Sequence, residues 1–184
     1  YYDNQKKFSL NRYELSFLKN PDEQLSYPIA IKIKYKGKIN YTIEQSGKEY
    51  HRSFEETPGI INENGVYLAS STFWYPQNSN CMVTFKMKVS LPEGWHSMTQ
   101  GKKTFESIEN ESRTELWDNI NLTDEIYLVA GKWKVYSSKS ENVESIVCLK
   151  KNDDSLAQKY LEATENYVET YSKFIGKYPY NKFA

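Results

Sequence analysis

Val83-Thr84-Phe85-Lys86-Met87-Lys88-Val89-Ser90-Leu91 alternates apolar and polar residues without a break. Successive side chains of a strand point to opposite faces, so this stretch reads as a half-buried β-strand. Pro92-Glu93-Gly94 ends it. Upstream, Ile29, Ile31, Ile33 and Tyr35 alternate with Ala30, Lys32 and Lys34, and Lys36-Gly37-Lys38 reads as the turn after them. Downstream, Ile126 to Val129 and Trp133 to Tyr136 flank Gly131, where a bend or bulge is expected. Ser145 to Leu149 is a further short apolar strand. Seven of the eight glycines fall at or near these strand ends. Many short strands with regular turns predict a mainly β chain, an antiparallel sandwich or saddle-shaped sheet.

The period changes after Lys150. Asn152-Asp153-Asp154-Ser155 is a run of N-cap residues with early negative charge. Leu156, Tyr160, Ala163, Tyr167, Tyr171 and Phe174 then recur every three or four residues, as on one face of a helix. Gly176 suits the helix end, and Pro179 opposes continuation. The expectation is a β domain over residues 1–152, then a segment 153–184 holding one helix from about Asp154 to Ile175. Its aromatic stripe is too large to leave in water, so it calls for a partner: the sheet, a second copy through residues 156–175, or a following domain.

Composition narrows the function. The chain has 184 residues, with 24 Lys plus Arg against 24 Asp plus Glu. A neutral chain is poorly suited to nucleic acid, whose phosphates supply most of the affinity. Mean hydropathy is -0.77 and no apolar run approaches a membrane span. Tyr1-Tyr2-Asp3-Asn4-Gln5-Lys6-Lys7 is no signal peptide, and both cytoplasmic and extracytoplasmic placement stay open. Cys81 and Cys148 lie in apolar, strand-like stretches and read as buried free thiols. His51 and His96 read as surface or loop residues. With no Cys-x-x-Cys and no His-Glu-x-x-His, neither a metal site nor a catalytic set is expected within this chain. Glu106 to Glu111 reads as a solvated turn. The 16 Tyr, 8 Phe and 4 Trp fit a core, a protein interface or a sugar platform on Trp74, Trp95 and Trp133.

Four ordered elements carry a resemblance. They are Lys32 to Ile39; Gly65-Val66-Tyr67-Leu68 with Phe73-Trp74-Tyr75-Pro76; Phe85 to Trp95 with Gln100-Gly101-Lys102; and Tyr167 to Ile175 with Gly176-Lys177-Tyr178-Pro179-Tyr180. Together they resemble the gluzincin zinc aminopeptidases, the aminopeptidase N and leukotriene hydrolase type, over residues 27–184. The resemblance implies a non-catalytic N-terminal β saddle followed by the first helix of a thermolysin-like catalytic domain. It implies that the zinc cofactor, the His-Glu-x-x-His ligands and the aminopeptidase chemistry belong to sequence beyond Ala184. The domain would cap the active-site cleft and help position peptide N-termini, its partners being its own downstream catalytic domain and the peptide substrate. The family's amine-holding Gln or Glu falls, counting back from Pro76, on Tyr67. Tyr67 and Gln77 are therefore the candidate substrate-binding residues, with Asn64 nearby. The alternatives are a β-sandwich binding module for carbohydrate or protein, and a peptidase-derived scaffold without catalysis.

Overall fold

The computed structural model describes residues 32–46, 54–77, 81–140 and 143–184. His51 and the first half of the expected Ile29–Tyr35 strand lie outside them. Residues 1–36 and 37–184 form separate units, and every strand and helix named below belongs to the second.

Among the described residues, twelve strands and one long helix succeed one another. β1 (Glu44–Ser46) and β2 (Phe54–Glu56) make a small antiparallel ribbon. β3 (Gly59–Asn62) and β4 (Gly65–Leu68) form a hairpin, and a single 3-10 turn, Ser70–Thr72, comes after it. Then come β5 (Val83–Pro92), β6 (His96–Met98), β7 (Lys102–Glu109) and β8 (Ser112–Thr123). β9 (Leu128–Gly131), β10 (Lys134–Ser140) and β11 (Val143–Leu149) precede helix α1 (Asp154–Ile175). β12 (Lys182–Phe183) adds to β11 in parallel.

The strands group as β3-β4-β9-β6, β5-β8-β7 and β10-β11-β12. All pairings but the last are antiparallel. The first two sheets meet across one apolar core of Leu68, Val89, Trp117 and Leu128, with Met87, Leu91 and Met98 packed against it. The fold is thus a mainly β, antiparallel sandwich with one C-terminal helix.

β5 runs as its alternation predicts, with Phe85, Met87, Val89 and Leu91 turned toward the core. β8 inverts the expected polarity. Arg113, Glu115, Trp117 and Asn119 are its buried residues, while Ile120 and Leu122 are exposed. The expected turn at Glu106–Glu111 is largely strand: β7 continues to Glu109, and only Asn110-Glu111 form the loop. Both sit at positive φ, 49° and 60°, as a two-residue hairpin with the right-handed strand twist requires. Residues 32–39 carry no strand, because the only pairing nearby among the described residues is a single Asn40–Ile60 bridge. Alternation makes a strand only where a neighbour completes the ladder.

The helix occupies its predicted span. Asp153 caps it, its carboxylate accepting from Leu156 N–H at 2.9 Å, and the Gly176 N–H closes it on the Ser172 carbonyl. The buried face is not the aromatic one. Ala157 and Leu161 are buried and Val168 is half-buried, packed toward β11 and β10. Tyr167, Tyr171 and Phe174 are 63, 59 and 80% exposed. The helix meets the sheet through these aliphatic side chains, and the rings are left on the outer side. Cys148 is half-buried, but Cys81 is exposed, against the expectation of a buried thiol.

Candidate functional site

Three turns converge at one corner of the sandwich: Ser70–Thr72 after β4, Thr99–Gly101 between β6 and β7, and Asp124–Tyr127 between β8 and β9. Gly101 makes the approach possible. It has φ +81°, and a Cβ there would lie 2.3 Å from the Asp118 carbonyl oxygen. The Gln100 side chain then bridges the turns. Its Nε2 donates to the Glu125 carbonyl (2.9 Å) and its Oε1 accepts from the Tyr127 N–H (3.1 Å). Tyr75 joins from the 3-10 side, its hydroxyl accepting from the Ile126 N–H at 3.0 Å.

The carboxylate of Glu125 is the chemical centre of this corner. Ser70 Oγ donates to its Oε2 and the Tyr127 hydroxyl to its Oε1. Gln77, a predicted site residue, is exposed and donates from Nε2 to the Ser70 carbonyl, so it shares Ser70 with Glu125. Tyr67 is half-buried in β4, paired with Ile60 and Val129, and no hydrogen bond links it to Gln77. Asn64 serves a turn, its N–H donating to Asn62 Oδ1. The sequence expectation did not include Glu125. A carboxylate accepts from an ammonium more strongly than a phenol or carboxamide does, because the acceptor is charged.

Beside this corner lies a groove of about 210 Å³. β7 begins at Lys102 opposite Asp118, so Asn119–Thr123 extend beyond it. The segment Tyr178–Lys182 forms the facing wall. Lys182 ties that wall down: its Nζ donates to the Thr99 carbonyl and, at 2.8 Å, to the Gly101 carbonyl, 5.2 Å from the centre of a Trp117 ring. Burial lowers the Lys182 amine to about 8, with Glu144 opposing. The carbonyls and the ring face favour the charged ammonium as well.

A second charged cluster sits between β6, β7 and β8. Glu115 is fully buried, and its Oε2 accepts from the Ser97 N–H (2.7 Å) and Ser97 Oγ. Lys103 Nζ lies 3.4 Å from Oε1 and 2.5 Å from Glu106, and Arg113 pairs with Glu106. Trp117 Nε1 donates to Ser97 Oγ at 2.9 Å. His96, expected at the surface, contributes a buried Nδ1 that has no hydrogen-bond partner and lies 3.6 Å from Glu115. Burial first, then the Arg113 charge, lowers its pKa. Burial raises the Cys148 thiol, leaving it a poor nucleophile.

Ligand atoms of His96, Glu106 and Glu115 lie within 4.8 Å of one another. They do not fit a zinc site: Lys103 and Arg113 already neutralise the two carboxylates, and only one imidazole is present. The cluster is an ion-pair network built on the buried carboxylate of Glu115 and reaching the surface at Lys103 and Glu106.

No family model matches the sequence, and no curated protein matches it. Among solved structures, a two-domain M1 zinc metallopeptidase, crystallised as a point mutant bound to L-arginine, is similar at a TM-score of 0.53 and 16% identity. The similarity covers 77% of this chain and 35% of that one. This chain therefore shares the fold of about a third of that structure.

Proposed function

We propose that this chain is the non-catalytic β domain of a peptidase-related protein, one that caps the active-site cleft and positions peptide N-termini. The observation that carries the proposal is the fold match to part of a two-domain zinc metallopeptidase, which leaves most of that structure's length outside the matched region. In this reading the catalytic zinc and its general base reside in a downstream domain, and no bond-making step runs through the residues of the β domain.

Two features of this chain support the role. The exposed face of α1, with Tyr167, Tyr171 and Phe174, offers an apolar surface that a following domain would cover. Each such side chain contributes on the order of 2 kcal/mol when fully buried. Glu125, steadied by Ser70 and Tyr127 and flanked by Gln77, supplies the negative charge for an α-ammonium that Tyr67 lacks.

The test uses the full-length protein. A Glu125→Gln variant is assayed on a peptide with a free N-terminus and on its N-acetylated counterpart. The expected result is a KM raised about ten-fold for the free peptide and unchanged for the acetylated one, since a charged hydrogen bond contributes roughly 1.5 kcal/mol or more. Equal effects on both peptides, or no hydrolysis by the wild type, would overturn the proposal. Without the downstream domain, the chain should self-associate through residues 156–175, and Tyr171→Ser with Phe174→Ser should abolish this in sedimentation.

A further inference from the structure

We infer that the groove between β8 and the Tyr178–Lys182 segment is a binding site for a single neutral sugar ring, adjoining the Glu125 corner and independent of any peptidase role. The wall residues divide into those already committed and those still open. Gln100 spends its carboxamide on Glu125 and Tyr127, and Thr123 Oγ1 donates to the Glu125 carbonyl at 2.9 Å. These hold the wall in place. Asn119 is only 3% exposed and donates from Nδ2 to the Asn121 carbonyl at 2.8 Å, which leaves its Oδ1 as an acceptor on the groove wall. The side chains of Asn121 and Asn181 make no hydrogen bond among the described residues, yet both line the same groove. Each offers a donor and an acceptor side by side on one carboxamide.

This is the polarity a vicinal diol presents in return, since each hydroxyl both donates and accepts. Charge selects against other ligands. Lys182 is the one ionisable amine or acid in the lining, and its ammonium is held by the Thr99 and Gly101 carbonyls. No free cation or carboxylate remains in that lining for a phosphate or an ammonium. An aromatic face is also present. Tyr180 is 50% exposed and is braced edge-on by Tyr178 at 5.5 Å between ring centres. Tyr178 is fixed in turn by donating its hydroxyl to the Lys182 carbonyl at 3.2 Å. A braced, half-exposed ring suits the apolar face of a pyranose, because it loses little freedom on binding. Size points the same way. At about 210 Å³ the groove has room for one ring.

The test titrates the 184-residue chain, labelled with 15N, with methyl β-D-glucopyranoside, methyl α-D-mannopyranoside and N-acetylglucosamine to tens of millimolar. N-acetyl-trialanine amide serves as the neutral peptide control. At least one sugar is expected to bind saturably with a millimolar Kd, shifting the side-chain amide signals of Asn119 and Asn121. Asn121→Ala and Tyr180→Ala should each weaken binding about five-fold, as expected for one lost hydrogen bond or ring contact. Asn121 is half-buried and Tyr180 is exposed, so both variants should keep the wild-type Tm. If either loses its fold, the wild-type shift map alone decides. No saturable shift with any sugar, shifts mapping elsewhere, unchanged Kd in folded variants, or tighter binding of the peptide would each overturn the inference.

Discussion

Replacing Glu115 by Gln keeps the volume of a fully buried side chain and removes its charge. The carboxamide can hold its oxygen on the Ser97 N–H and Oγ, where Oε2 now sits. Its NH2 group then faces Lys103 Nζ, 3.4 Å away, and two donors oppose each other. Breaking a buried ion pair by removing one partner costs about 3–5 kcal/mol. Lys103 softens the loss, since its side chain is 34% exposed and keeps Glu106 at 2.5 Å. That places Glu115→Gln near the low end, about 3 kcal/mol. For a chain of this size the Tm should fall by about 6–12 °C. Urea unfolding followed by tryptophan emission suits the measurement, because Trp117 donates to the same Ser97 Oγ and loses its environment with the cluster. Lys103→Gln and the double variant complete a cycle. The double loss should fall short of the sum by about 1 kcal/mol or more, in the range of residues sharing a network. A Glu115→Gln loss within about 0.5 kcal/mol, typical of surface changes, would refute the view that this network holds β6 to β8.

His96 has a folded-state pKa below its unfolded value, through burial first and the Arg113 charge second. Below the unfolded value the unfolded chain binds more protons, so stability should be full above about pH 7 and decline as pH falls through the ordinary histidine value of about 6.5. A His96→Gln variant should flatten that part of the Tm–pH curve. Asp153→Ala removes the side-chain acceptor for the Leu156 N–H, and should cost about 1 kcal/mol in urea unfolding. Gly101→Ala brings a Cβ to 2.3 Å from the Asp118 carbonyl at a φ of +81°; it should cost more than the roughly 1 kcal/mol of an ordinary glycine substitution, and hydrogen exchange should rise at Gln100 and Tyr127.

The helix and β5 were legible because a single driving force shapes each. In β5 the apolar face is the buried face, so alternation reports packing directly. In α1 the capping run at Asn152–Ser155 and Gly176 mark both ends. The side on which α1 packs was not legible. Hydrophobicity favours the Tyr160–Phe174 stripe, but the sheet takes Ala157 and Leu161, and the face that packs is set by where β10 and β11 lie rather than by ring area along the helix. β7 and β8 stayed hidden for a related reason. Arg113 and Glu115 face inward, and their burial depends on partners in β7 and β6. Glu125 acquires its setting from Ser70, 55 positions away, a relation that spacing along the chain does not encode.

The Asn110-Glu111 hairpin also sets an order of events. β7 and β8 join across two residues, as β10 and β11 join around Ser140 and Val143. Such hairpins close in about 1–10 μs. The ladder between β4 and β9 brings Leu68 to Leu128, 60 positions apart, and β6 pairs on the far side of β9. Closures of that span come later, because the chain entropy is lost before any contact offsets it. Glu115 and Lys103 therefore meet early, while still wet. Glu115 loses its water only when β6 brings Ser97 onto it from 18 positions away, so the dehydration of this carboxylate follows the hairpin rather than accompanying it.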